Sequence, residues 1–322
     1  AVFGANVHKG NYADMKTNGW EISITWKDRF LLANKSFNYD VRFILADNKS
    51  VITKFNNPEK LLSNYYEGME LGEIWGLVTE GLFQSEAEIE AHADQSYIRV
   101  SSNNILLPGD LKFKDLNNDK VINIGQNRVS DPGDLTIIGN SSPRYSYGIN
   151  LGANWNNFFL TGFFQGVGKQ DWWPGGEASH FWGQYNRPYN KLPKWHLENV
   201  YSESNPDAFL PRYRGYIANW NRALNQKQSR YILDVGYIRL KNIQLGYNLP
   251  PNLMQNVSFL SNVKIYLSGE NLWAWSPLYK TTKDFDVENI GGSDPELTSG
   301  RHGNVLNYPM LKTVSFGLSA TF

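Results

Sequence analysis

The last ten residues of the chain alternate strictly between apolar and small or polar side chains. Val314, Phe316, Leu318, Ala320 and Phe322 occupy one set of positions, and Thr, Ser and Gly occupy the other. Because a β-strand directs successive side chains to opposite faces, this stretch predicts a strand with one apolar and one polar face. In a soluble sandwich the apolar face turns inward, whereas in a transmembrane barrel it turns toward lipid. A strand of this length can cross a bilayer at a tilt.

The same period recurs along the chain. Trp20–Trp26 and Phe37–Leu45 alternate on either side of a turn-like Leu-Ala-Asn-Lys-Ser segment, which predicts a hairpin. Tyr145–Trp155 has aromatic residues at both ends of one face and aliphatic residues between them, which is the order of a lipid-facing surface. Asn156-Asn157 then turns the chain, and Tyr237–Leu249 alternates again. By this pattern we expect roughly eight to ten strands.

Three long polar excursions, residues 47–110, 168–230 and 271–308, separate these strands, while other connections are short. Within the first excursion, Ser85 followed by Glu88 predicts a capped helix over residues 85–93. Outer-membrane barrels combine short periplasmic turns with long extracellular loops. The short turn at Asn156-Asn157 is therefore predicted to face the periplasm, and residues 168–231 are predicted to be extracellular.

Composition excludes several classes of protein. The 31 basic and 31 acidic residues cancel, so no net field attracts nucleic acid. No run of about 18 apolar residues exists, which excludes a helical membrane span but not a barrel. Cysteine is absent and disulfides are therefore impossible, and aromatic residues make up 14% of the chain. We find no nucleophile and base arrangement that would support an enzyme, and carboxylates near Trp172 are better explained as loop residues.

Several phrases resemble one family, the SusC/RagA-type TonB-dependent transporters of Bacteroidota, and specifically the C-terminal third of such proteins. These phrases occur in family order and extend over nearly the whole chain from Trp20 on: YEGMELGEIWGLVTEGLFQS (66–85), GDLKFKDLNNDKVIN (109–123), IGNSSPRYSYGINLGANWNNF (138–158), FFQGVGKQDWW (163–173), NPDAFLPR (205–212), YIRLKNIQLGYNLP (237–250) and SGENLW (268–273).

This resemblance implies an all-β fold, namely the C-terminal part of a 22-stranded transmembrane antiparallel β-barrel with long extracellular loops, in the bacterial outer membrane. It further implies TonB-dependent import of a glycan or a peptide together with a SusD-like surface lipoprotein. Residues 1–322 are expected to belong to the barrel. The plug domain and the TonB box, through which the TonB–ExbB–ExbD complex would be engaged, are expected outside this chain. Two other functions stay open, a passive porin-like barrel and a secreted carbohydrate-binding β-sandwich.

The second excursion contains the best candidates for binding. Trp172, Trp173, Trp182 and Tyr185 lie there among Asn, Arg and Pro residues. Flat aromatic side chains serve as anchors in protein interfaces and stack against sugar rings, so we predict contact with the lipoprotein first and with a glycan second. The alternative is that these rings pack the loop against its own neighbours.

A second candidate site is a possible calcium loop. Asp115, Asn117 and Asp119, the carbonyl of Val121, and Asn123 follow the spacing with which an EF-hand-like loop surrounds Ca²⁺. Lys120 stands where such a loop prefers glycine, and Gln126 stands where it has a bidentate Glu. The alternative is an Asn/Asp-rich turn whose side chains bond their own backbone. No other cofactor is expected.

Overall fold

We analysed a computed structural model of the chain, which describes residues 11–100, 103–176, 178–219, 222–250, 252, 260–290 and 309–322. The described residues form thirteen strands, in chain order β1 Asp14–Leu32, β2 Lys35–Lys54, β3 Glu73–Leu77, β4 Thr79–Leu82, β5 Leu111–Phe113, β6 Leu135–Asn140, β7 Arg144–Trp155, β8 Phe158–Lys169, β9 Asp171–Trp172, β10 Leu233–Asp234, β11 Tyr237–Asn248, β12 Asn262–Trp275 and β13 Thr313–Thr321. The same ranges contain two short α-helices, α1 Glu86–Ala91 and α2 Ser179–Trp182, and four 3₁₀ turns at Gly183–Tyr185, Lys194–Glu198, Ser229–Tyr231 and Pro277–Lys280.

Seven long strands form one antiparallel sheet in the order β1-β2-β7-β8-β11-β12-β13. Chain order and sheet order agree, so the sheet is an up-and-down meander. Two of its turns have only two residues, Ala33-Asn34 and Asn156-Asn157, and all four have positive φ, between 45° and 69°. Positive φ at both central positions gives the turn twist that matches two antiparallel strands, and Asn accepts it readily. The predicted hairpins are confirmed.

The strand register places apolar residues on one face of this sheet. One row across six strands consists of Tyr39, Ala153, Leu160, Leu245, Leu267 and Phe316, which are paired neighbour to neighbour. Leu267 is 55% exposed and Phe316 is 71% exposed, so the described residues bury neither in a core. A second row beside the two-residue turns is aromatic, with Phe37, Trp155, Phe158 and Tyr247 paired in turn. Of the residues expected to face lipid, Tyr145, Leu151, Val314, Phe316 and Leu318 are exposed, whereas Ile149 is half-buried.

The opposite face is polar. Its central row consists of Asp40, Gly152, Thr161, Gln244, Ser268 and Ser315. Asn150, Asn154 and Ser319 share this face, as predicted. Large rings also lie here, and three of them each cover a glycine on the neighbouring strand: Phe159 lies over Gly246, Phe163 over Gly148 and Tyr266 over Gly317. A Cβ at Gly246 or Gly317 would collide with the ring, so these two glycines permit the close approach.

The sheet differs from expectation in strand number. Its described strands number seven rather than eight to ten, because β3 to β6, β9 and β10 pair only in small two-stranded ladders. These seven strands form an open sheet with β1 and β13 at its edges. Among the described residues, every helix is too short and too polar to span a membrane.

The chain divides into two compact units. The sheet unit comprises Gly19–Asp47, Pro143–Trp172 and Leu233–Phe322, and the loop unit comprises Asn48–Ser142 and Trp173–Ile232 with the residues before Gly19. The sequence predicted barrel wall with loops throughout; the structure shows that two of the excursions fold together into a unit with its own core. Fully buried side chains of that core include Leu77, Phe83, Ile98, Leu111, Phe113, Ile122, Leu210 and Ile217.

The helix predicted in the loop unit is confirmed. α1 begins after Ser85, whose hydroxyl accepts a hydrogen bond from the backbone N–H of Glu88 at 3.2 Å. The Glu88 carboxylate in turn accepts from the backbone N–H of Gln84 at 2.6 Å and pairs with Lys112 at 2.9 Å. This reciprocal pattern satisfies amide donors that the first helical turn leaves unbonded.

Adjacent residues of β12 test which face of the sheet contacts lipid. If the apolar face lies in a bilayer, Leu267→Arg should destabilise the folded protein by about 2–4 kcal/mol near the midplane, since an arginine there loses its hydration. Ser268→Arg, one position along and on the polar face, is the matched control and should cost much less. Denaturant unfolding in lipid vesicles measures both. Equal costs for the two variants would contradict the assignment of the faces.

Candidate functional site

The predicted aromatic residues of the second excursion lie mostly in protein interior. Trp182 and Tyr185 are 0% and 1% exposed and belong to the loop unit. The Trp182 indole N–H donates to the carbonyls of Pro174 at 3.1 Å and Gly175 at 3.0 Å. The Tyr185 hydroxyl donates to the carbonyl of Pro211 at 2.6 Å, and burial raises the pKa of its phenol above the ordinary value. Both polar atoms are thus satisfied inside the unit, as buried polar groups require.

Ring packing explains why these side chains are buried. The Trp182 ring meets Phe181 edge to face at 4.8 Å between centroids and Tyr231 at 5.1 Å. Trp173 is half-buried, and its ring centroid lies 6.3 Å from that of Trp182. Such tilted and edge-on pairs are the favoured arrangements of aromatic quadrupoles. The rings therefore form a core cluster that holds the 173–232 segment together.

Trp172 belongs to the sheet unit, whereas Trp173, Trp182 and Tyr185 belong to the loop unit. It lies in β9, which pairs with β10, and its ring packs 6.1 Å from the Phe285 ring. Trp172 is 5% exposed. Trp172, Trp182 and Tyr185 therefore pack against neighbouring residues of their own units, which agrees with the alternative that these rings pack the loop against its neighbours. Contact of the four residues with a ligand or partner stays a prediction, and Trp173 is the member with exposed surface.

A buried carboxylate joins the two excursions inside the loop unit. Asp110 is 2% exposed, pairs with the Arg214 guanidinium at 2.8 Å and accepts from the backbone N–H of Leu107 at 2.8 Å. Burial raises the pKa of Asp110 to about 6, and the positive charges of Arg214 and Arg212 oppose that rise. Arg212 donates to the carbonyl of Pro108 at 2.6 Å. These contacts bind residues 107–110 to residues 212–214.

The possible calcium loop is a tight turn in the loop unit. Asp115 accepts from the backbone N–H groups of Asn118 at 2.7 Å and Lys120 at 2.9 Å. Asp119 accepts from Val121 at 2.8 Å, and the side chain of Asn123 accepts from Gly125 at 2.6 Å. Lys120 adopts φ 64°, the left-handed conformation for which an EF-hand-like loop prefers glycine.

Two observations bear on an ion at this turn. Each of its carboxylates already satisfies backbone donors, which is how Asn and Asp stabilise turns without metal. Among the described residues, no cluster of three or more His, Cys, Asp or Glu side chains could hold a metal ion. Calcium binding by Asp115, Asn117, Asp119, Val121 and Asn123 stays a prediction. Asn117 also donates to Asp119 at 2.9 Å, which ties two of the candidate ligands to each other.

The structure brings together one group that the sequence analysis missed. A cavity of about 860 Å³ in the loop unit is lined by Ser96, Tyr97, Arg99, Arg187, Tyr216, Asn219 and Arg222. Its three arginines come from distant parts of the sequence. The sequence around Arg99 does alternate: Tyr97 and Arg99 are exposed, whereas Ile98 and Val100 are buried. That alternation shows which way each side chain points, but not what lies opposite.

Known proteins are similar in sequence to nearly the whole length of this chain. No family model matches the chain. TonB-dependent receptor P3 of Formosa agariphila is 25% identical over 97% of this chain, and TonB-dependent receptor P26 of the same organism is 24% identical over 99%. The chain is related to TonB-dependent receptors. It spans 29% and 30% of the length of these two relatives.

Solved structures share the fold of this chain. The RagAB peptide transporter matches all of the chain with a TM-score of 0.63 and 19% identity, and the match covers 31% of the transporter chain. The RagAB peptide importer in its open-open state matches 96% of the chain with a TM-score of 0.61. The resemblance to SusC/RagA-type receptors predicted from the motifs is confirmed.

The packing role of the aromatic cluster can be separated from a surface role. Trp182→Ala should destabilise the loop unit by about 3–5 kcal/mol, because it removes a fully buried ring and leaves a cavity. Tyr189→Ala is the control, since Tyr189 is 77% exposed in the same segment. Hydrogen exchange of residues 173–232 measures both changes. Unchanged protection in Trp182→Ala would show that the ring does not support the core.

Calcium should act on the 115–123 turn if it binds there. Added Ca²⁺ should slow proteolysis within this turn, because six or more oxygen ligands would fix it in place. Asp119→Asn should abolish the effect, and Asp94→Asn, at an exposed carboxylate outside the candidate ligand set, is the control. Protease sensitivity that calcium leaves unchanged would support the plain turn.

Proposed function

We propose that the sheet unit forms part of the wall of an outer-membrane β-barrel, in a TonB-dependent importer. The observation that carries this proposal is the continuous apolar face across the sheet, opposite a face of Asp, Thr, Gln, Ser and Asn. A lipid bilayer outside and water inside require that division. The relationship to TonB-dependent receptors supports the same assignment.

The sheet edges place a physical requirement on this proposal. Backbone groups of β1 and β13 that point away from the sheet would lose several kcal/mol each if they stayed unbonded in hydrocarbon. Further strands must therefore pair with both edges and complete a barrel, which would have 22 strands in the family that the sequence resembles. All of β1 is exposed in the described structure, which is consistent with a surface that other strands cover.

Direction follows from the connections. Two-residue turns join β1 to β2 and β7 to β8, while long segments join β2 to β7 and β8 to β11 at the other end. By the rule for outer-membrane barrels, the short turns face the periplasm. We assign the loop unit to the extracellular side, where a substrate first meets an importer.

The proposal also covers the substrate and the protein partners of the importer. The RagAB structures are of a peptide transporter and importer, which supports a peptide as the substrate. The resemblance of the sequence to SusC/RagA-type transporters supports association with a SusD-like surface lipoprotein. Glycan import, the other substrate class expected from the sequence, is the second candidate. Energy would come from TonB–ExbB–ExbD acting on parts of the receptor that this chain does not span. A passive porin and a secreted sandwich are the functions that this proposal replaces.

Single cysteines provide the test, because the chain has none of its own. In intact cells a membrane-impermeant maleimide should label Tyr189→Cys, in an exposed part of the loop unit, and should label Asn157→Cys only after the outer membrane is opened. Phe316→Cys should react only with a lipid-soluble reagent. Labelling of Asn157→Cys from outside would invert the proposed orientation, and extraction of the protein without detergent would end the membrane assignment.

A further inference from the structure

We infer that the arginine-lined cavity of the loop unit binds carboxylate groups of an acidic peptide. This inference deepens the proposed function and rests on it for the meaning of the ligand as an import substrate. The cavity lies wholly within the loop unit, so its geometry does not depend on where the two units lie. The lining residues include none of the aromatic cluster around Trp182 and none of the 115–123 turn.

Backbone contacts build the cavity. Arg99 and Arg222 are joined by a parallel bridge, and the N–H of Ala223 donates to the Arg99 carbonyl at 3.0 Å. Ile98 and Val100 flank Arg99, and Leu224 follows Arg222 by two residues; each of the three is buried in the core and at most 1% exposed. Two arginines from distant segments are therefore held side by side by the fold.

The remaining arginine is positioned by an amide pair. Asn186 and Asn219 exchange hydrogen bonds, with the Asn186 amide donating to the Asn219 side-chain oxygen at 2.8 Å and the Asn219 amide donating to the Asn186 carbonyl at 2.9 Å. Arg187 follows directly and donates to the Asn186 side-chain oxygen at 2.9 Å. Tyr216 has a positive φ of 65° and is 44% exposed at the cavity.

Arg99 and Arg222 bring positive charge to the lining of this cavity. Guanidinium groups stay protonated at any physiological pH. Among the described residues, Arg99 and Arg222 form no ion pair, although arginines elsewhere in the loop unit do, such as Arg214 with Asp110. The Asp94 carboxylate accepts from the backbone N–H and the hydroxyl of Ser96, a residue of the lining, at 2.9 and 3.1 Å. Like charges repel across a partly enclosed space, so an anion would be stabilised there.

The hydrogen-bonding chemistry of the lining selects the ligand. Arginine only donates, and its planar fork matches both oxygens of a carboxylate. The amide of Asn219 is already paired with Asn186, and the described lining contains no carboxylate that could accept from a sugar hydroxyl. A neutral glycan would fit poorly, because it brings no negative charge to balance the guanidinium groups. Carboxylates and backbone carbonyls fit well, and the Tyr97 and Tyr216 rings offer apolar contact, which favours a peptide with several acidic residues.

The experiment measures peptide affinity by calorimetry with the detergent-purified protein. A short peptide carrying three glutamates is compared with the same peptide carrying glutamines, and with an oligogalacturonate as a carboxylated glycan. The glutamate peptide should bind at least about tenfold more tightly than the glutamine peptide, and added salt should reduce the difference. Equal affinity for the two peptides, or tighter binding of the oligogalacturonate, would overturn the inference.

Variants locate the binding. Arg99→Gln and Arg222→Gln should each weaken binding of the glutamate peptide by about 10–100-fold, because each removes a charge-assisted pair. Arg99→Lys should fall between, since it keeps the charge but loses the fork. Lys191→Gln with Lys194→Gln removes two exposed charges outside the lining and is the matched control. A control that loses as much affinity as the arginine variants would show nonspecific attraction and contradict the site.

This measurement is independent of the barrel assignment. Peptide binding that fails while cysteine labelling still shows a membrane-inserted sheet would overturn the cavity assignment alone. Labelling that places the sheet outside the membrane would overturn the import proposal, even if the purified protein bound the glutamate peptide.

Discussion

Backbone hydrogen bonds are the constraint on which the described fold depends. A peptide group in hydrocarbon has no water to bond, so a segment that crosses lipid must pair every N–H and C=O within the protein. The meander of seven strands does this with neighbours in chain order, and two-residue turns keep the strands in register. Within the sheet the ladder is interrupted at a bulge in β11 between Leu240 and Asn242. The same constraint explains why the open edges at β1 and β13 imply further strands.

Side-chain chemistry follows from that backbone. Once the strands are paired, successive side chains point to opposite sides of the sheet, and this alternation gives it an apolar and a polar face. A substitution at one position does not move the other side chains of that strand to the opposite face. Phe159, Phe163 and Tyr266 are exceptions on the polar face, and each is matched to a glycine on the neighbouring strand. The loop unit solves a different problem, because it buries its aromatic residues in a core of its own and leaves charged side chains, including Arg99 and Arg222, at its surface.

Local pattern predicted much of this structure. Alternation located the long strands, Asn156-Asn157 located a hairpin, and the Ser85 and Glu88 pair located a helix, since each depends on residues close in sequence. The sequence left open whether Trp182 and Tyr185 pack inside the protein or bind a partner, and local pattern could not show that they are buried. Their burial depends on Tyr231 and Pro211, far along the chain, and composition alone cannot reveal such contacts. The arginine cavity was missed for the same reason, because Arg99 and Arg222 become neighbours only through the fold.

The central claim is that the apolar face of the sheet contacts lipid, and β13 offers the most direct measurement. Nitroxide labels placed in turn at residues 314–319, in protein reconstituted into vesicles, report collision with oxygen dissolved in lipid and with a water-soluble nickel complex. Accessibility should alternate with a period of two, with labels at Val314, Phe316 and Leu318 favouring oxygen and labels at Ser315 and Ser319 favouring the nickel complex. Uniform access of the nickel complex along the strand would contradict it.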